Sequence, residues 1–275
     1  MSGVSSVGMP QSAASVLCPE SGIRYRAAVR RFDWATTLRA LALLVTAFFL
    51  AAAVLQAVLA FDVLGAAPPK QDDFIEQTID LFTWEQSRWP VEFAATALFG
   101  LGFLALGGLG VLLSRLASTA DPRRLLTTSA FLGAAGIGAA SQLMWLGVKP
   151  IATSPQYCSC GLRAEEIMSR LMILGVASVV QVWLVIGALL LLAGGTVMLA
   201  GLGREHGMST GWVWLSLAIA AASIAVGILA VLRTYPVDQL VLLVTAGVLT
   251  PIWALWLAIR AETLVPHEAR VPPTG

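Results

Sequence analysis

Charge is what this sequence has least of. Asp, Glu, Lys and Arg make up 12% of its 275 residues, about half the share of a soluble domain. Histidine occurs twice and cysteine three times, and the net charge is +1. Each scarcity excludes something. A near-zero net charge gives no field that would select nucleic acid or an acidic partner. His206 and His267 both lie in hydrophilic segments, so no long apolar run offers a haem ligand. The middles of those runs hold no ionisable residue, which removes the usual parts of a proton relay or a charged-substrate path. No Gly-rich phosphate loop, nucleophile elbow or H-E-x-x-H is present, so neither a catalytic residue nor a cofactor is expected. The first 22 residues contain no basic residue and no adequate apolar core, and no removable targeting peptide is expected there.

What is abundant is apolar length. Hydrophobic residues make up 57% of the chain and cluster in six stretches, 35–61, 91–113, 125–148, 171–192, 212–232 and 239–259. About 20 apolar residues in a helix cross a hydrocarbon core of roughly 30 Å. In lipid every backbone polar group must be satisfied within the structure, so runs of this length read as spanning helices. The expected fold is all-α, an integral membrane six-helix bundle. It comprises a basic tail at 1–34, a six-span domain at 35–260 and a short tail at 261–275. The fourth run is long enough to overshoot the bilayer, with Gly194 and Gly195 as a place to kink. Pro251 is expected to bend the sixth.

Arginine sets the orientation, because basic residues beside spans stay cytoplasmic. With six spans, Arg24, Arg26, Arg30, Arg31, Arg39, Arg115, Arg123, Arg124, Arg204, Arg260 and Arg270 share one side with both termini. The other side holds Lys70, Arg88, Lys149, Arg163, Arg170 and Arg233. Both termini are therefore expected in the cytoplasm. The bias toward arginine and alanine suggests a GC-rich bacterium, and hence a bacterial plasma membrane.

The first extracytoplasmic loop contains "PPKQDDFIEQTIDLFTWEQSRWP". Phe74, Ile75, Ile79, Phe82 and Trp89 recur at helical spacing, with Trp84 beside them. Asp73 and Glu76 resemble a capping box. The reading is a short amphipathic helix at the membrane interface, separated from the second span by Pro90, with Glu92 in the span's first turn. Its acidic face is expected to meet Lys149, Arg163 and Arg170 of the third loop. That loop also carries "CSC". Cys158 and Cys160 lack the companions a zinc site needs. A local or intermolecular disulfide is the expected state, with free thiols or a redox pair as alternatives.

Inside the spans, Gln56, Gln142, Ser178 and Gln181 form a candidate polar cluster, read first as interhelical glue and second as the lining of a ligand cavity. Ala130, Ala134 and Gly138 in the third span, and Ala218 and Ala222 in the fifth, form small-residue stripes for helix packing. Three functions fit this inventory. The leading one is a non-enzymatic accessory, regulatory or scaffolding subunit, its partners being the lipid bilayer and a membrane protein or a second copy. The next is a carrier or binding protein for an apolar or lipid-like ligand. The last is a thiol enzyme or sensor working through Cys158 and Cys160. A cavity of several hundred Å3 reaching the glutamines separates the second from the first.

Overall fold

The computed structural model describes residues 34–153, 164–232 and 237–264. All regular structure among them is helical: α1 (Trp34–Ala60), α2 (Phe74–Ser114), α3 (Pro122–Thr153), α4 (Ala164–Glu205), α5 (Thr210–Val231), α6 (Val237–Val244) and α7 (Thr250–Arg260). A π-helical turn at Thr245–Leu249 joins α6 to α7, and a 3-10 turn at Ala261–Thr263 follows. Six of the resulting helices, α6 and α7 counting as one, are long and apolar enough to cross a membrane, as a multi-pass membrane protein requires. Each of α1 to α5 packs on its successor, and α7 returns to α1 to close a ring.

Two ends of this ring are marked by ion pairs. At the lower end, where α1 and α3 begin, Arg39 reaches Glu262 at 2.8 Å and Arg123 bridges Asp121 and Glu205. Hydrogen bonding from Arg123 holds the Asp121 carboxyl below its ordinary range. At the upper end, Arg88 of α2 bonds the Leu59 carbonyl of α1 and Lys149 of α3 pairs with α2.

Two helices run longer than the sequence suggests. The segment around Phe74–Trp89 is helical, with Asp73 capping it by accepting from the N–H groups of Ile75 (2.7 Å) and Glu76 (3.2 Å). It is not a separate element, however: Pro90 lies inside α2. Proline removes one backbone bond, but Arg88 and Glu85 tie this stretch to α1 and α3 and hold it in line. At 41 residues α2 is about 62 Å long, about twice a hydrocarbon core. Its upper part buries Phe82, half-buries Ile75, Ile79, Trp84 and Trp89, and leaves Phe74 exposed. Likewise α4 continues through Gly194 and Gly195 to Glu205. Gly195 is a packing notch rather than a hinge, since a Cβ there would lie 2.7 Å from the ring of Phe131.

That notch is one of several. Phe131 of α3, fully buried, lies against both Gly195 of α4 and Gly110 of α2, and an added Cβ at Gly110 would lie 2.0 Å from its Cγ. Phe103 of α2 covers Gly138 of α3 (2.6 Å to an added Cβ), and Trp212 of α5 covers Gly203 of α4. The stripe read in the third span is thus partly used: Ala134 and Gly138 are buried, and Ala130 approaches Gly195. The stripe read in the fifth is not the packing face. Ala218 is exposed and Ala222 half-buried, while Trp212, Ser216, Ile219, Ser223 and Val226 turn inward at three- and four-residue spacing. Trp212 stacks on Trp253 of α7 at 5.7 Å, and the Trp253 indole donates to Ser216 at 2.8 Å.

Gly110→Ala is expected to destabilise the protein by about 1–3 kcal/mol through overpacking against Phe131. Gly136→Ala, where an added Cβ meets nothing within 4 Å, is expected to be neutral or slightly stabilising. Thermal unfolding of both variants in one detergent checks the contrast.

Candidate functional site

Between the helices of the ring lies a partly open cavity of about 310 Å3. Helical periodicity builds its wall. From α2 come Glu92, Thr96, Phe99 and Phe103, spaced four, three and four apart; from α4 come Gln181, Val185, Leu189 and Leu192, spaced four, four and three. Each set is one face of a helix. Phe49 and Gln56 of α1, seven apart, and Gln142 and Trp145 of α3 complete most of the rest.

The lining changes character along its length. Glu92 and Gln181 lie on the upper parts of their helices, while Phe103 and Leu192 each lie 11 residues lower, about 16 Å along the axis. On α1, which runs the other way, Phe49 is low and Gln56 high. The chamber is therefore apolar below and polar above.

The upper charges are arranged around one cation. The Lys149 ammonium donates to both Glu92 and Glu85, lies 5.6 Å from the centre of the Trp145 ring, and leaves only 9% of its side chain accessible. The Trp145 indole donates to the other Glu92 oxygen at 2.9 Å. Glu92 is thus well inside α2, facing α3 and the cavity, and not in a first helical turn. Of the expected meeting of the first-loop helix with Lys149, Arg163 and Arg170, the structure shows Glu85 paired with Lys149; Asp80 instead accepts from Gln71 at 2.6 Å, and Arg163 lies outside the described residues.

The cavity brings together three of the four polar residues read as a cluster: Gln56, Gln142 and Gln181. Ser178 stays out of it and donates to its own helix at the Gly175 carbonyl, 2.8 Å away. Gln142 donates to Ser141 at 3.2 Å. Gln56 and Gln181 are half-buried and have no hydrogen-bond partner among the described residues. Cys158 and Cys160 lie outside the described residues. Among the described residues no group of three or more His, Cys, Asp or Glu side chains is placed to hold a metal.

Sequence reasoning missed Glu92, Thr96 and Trp145 as lining residues. Their signal was present: Glu92, Thr96, Phe99 and Phe103 follow helical spacing, with the polar pair one turn apart. Thr245 and Thr250 also border the cavity, but their hydroxyls donate to the Val241 and Thr245 carbonyls. They hold the π-helical turn, where the Thr250 N–H also bonds the Thr245 carbonyl. The wider turn makes room for Pro251, whose ring would clash with the carbonyl four residues back in a regular helix.

Fold and cavity together define a class: an all-helical chain with six membrane-length helices around an amphipathic chamber. No protein-family model, curated protein or solved structure matches this chain.

The shared cation sets an order of effects. Lys149→Met leaves two carboxylates facing each other without compensation and is expected to cost about 3–5 kcal/mol. Glu92→Gln leaves Lys149 paired with Glu85 and is expected to cost less, about 1–2 kcal/mol. Denaturation of the two variants side by side would reveal the reverse order if Lys149 were not the centre of the group.

Proposed function

We propose that this chain is a multi-pass protein of a bacterial plasma membrane that binds an apolar or lipid-like amphiphile in its central cavity, as a carrier or binding protein. The observation that carries the reading is the pair of carboxamides, Gln56 and Gln181, lining a chamber whose lower part is phenylalanine and leucine. Both carboxamides are half-buried and have no partner among the described residues, so each is open to a hydrogen bond with a ligand head. The volume falls at the small end of ligand sites. No catalytic residue is assigned, and neither a cofactor nor nucleic acid has a place in this reading.

A cavity-filling variant, Val185→Trp, is expected to fold and to lose a copurifying amphiphile that wild type retains after gentle extraction. Mass spectrometry of the extracted lipid reads this directly, and equal retention by both proteins would overturn the proposal.

In the same setting the lower end of the ring faces the cytoplasm together with both termini, because the larger arginine share lies there. With the native cysteines replaced by serine, Lys70→Cys is expected to react with an impermeant thiol reagent on intact cells and Ser118→Cys to be spared. The opposite pattern inverts the orientation.

One observation favours a second reading, an accessory, regulatory or scaffolding subunit. Met168, Met172, Val176, Val179 and Trp183 form one exposed apolar face on the upper half of α4. Lipid covers such a face in a carrier; in a subunit a protein partner or a second copy would, and crosslinking from Met172→Cys in native membranes separates the two.

A further inference from the structure

The polar end of the cavity carries a sign. Among the described lining residues Glu92 is the one charged group, and no lysine, arginine or histidine reaches the wall. Among the described residues the cation that touches this wall residue, Lys149, is already shared between Glu92 and Glu85. These three side chains sum to one negative charge. The next cation along α2, Arg88, is engaged elsewhere: it bonds the Leu59 carbonyl, pairs with Asp62 at 3.3 Å and lies over the Trp84 ring. The remaining head-contacting groups, Gln56, Gln142 and Gln181, each offer a carbonyl acceptor as well as donors.

We infer that the cavity selects single-chain amphiphiles whose head donates hydrogen bonds and bears no negative charge, an amine or an alcohol, and excludes those with an anionic head. The inference rests on the binding reading above and adds the chemistry of the head. An ammonium would find the Glu92 side attractive and the glutamine carbonyls as acceptors. A phosphate would meet the net negative charge of the Lys149–Glu85–Glu92 group and, among the described lining residues, no cation. Partial burial weakens screening by salt and solvent, so one net charge a few ångströms away shifts affinity by tenfold or more between heads of opposite sign.

The test uses the full chain in lipid nanodiscs and three probes with the same tail: dodecylamine, dodecanol and dodecyl phosphate. Bound probe is counted by native mass spectrometry. Amine and alcohol are expected to bind, the amine at least about tenfold more tightly than the phosphate. Glu85→Gln, which removes a charge without altering the wall, is expected to narrow that ratio while leaving the alcohol unchanged; Glu92→Gln is expected to narrow it further. Phosphate binding as tight as amine binding, abolished by Val185→Trp, overturns the head assignment and leaves the cavity reading standing. Failure of all three probes to bind, or binding that ignores Val185→Trp, overturns both.

Discussion

The structure depends on where an aromatic ring can press against a glycine. In hydrocarbon there is no water to expel, so helices associate through close van der Waals fit. Here that fit is concentrated in the lower and middle parts of the ring. Phe131 lies over Gly110 and Gly195, Trp212 over Gly203, and Trp256 over Gly211. Phe103 on Gly138 and Phe49 on Gly102 extend the same device to mid-height. Other glycines are not used this way: added Cβ atoms at Gly147 and Gly175 in the upper part, and at Gly136, Gly194 and Gly201 lower down, would meet nothing within 4 Å. Phe49 and Phe103, which fill two of these notches, also line the cavity.

The charged pairs then have a definite task. An upper end without glycine notches needs another fastening. Lys149 supplies it by joining α3 to α2 at Glu85 and Glu92, while Arg88 joins α2 to α1. These links also keep α2 continuous across Pro90, which would otherwise be free to turn the first-loop helix aside. A carboxylate that serves as a fastener is also left facing the chamber. In the proposed reading, structure and ligand chemistry meet in Glu92 for that reason.

Much of this was legible in the residues. Six apolar runs became six helices of membrane-spanning length, and Gln56, Gln142 and Gln181 converged as a shared helical register allows. Ser178, one turn from Gln181, did not join them, because a serine in a helix can bond its own carbonyls and turn away. The helix limits were harder to read. Pro90, Gly194 and Gly195 are local breakers, and local signals yield to tertiary contacts such as Arg88 with Leu59 or Phe131 with Gly195. The stripe at Ala218 and Ala222 failed for a related reason: in an alanine-rich helix every face has small residues, and what selects the buried one is the partner's bulk. Trp253 chose Ser216 and Trp212.

The same reasoning ties the π-helical turn to the cavity. Pro251 forces a wider turn on the last span, and Gly247 within that turn comes so close to α1 that an added Cβ would lie 2.7 Å from Ala53. Below this contact α7 packs along α1, whereas above it α6 leans chiefly on α5. A single proline and a single glycine thereby set the height at which α1 and the last span part. Thr245, Ala246 and Thr250 border the chamber at that height. The floor of the cavity is thus a consequence of backbone chemistry in one short stretch, and its polar roof of charges placed three turns away on other helices.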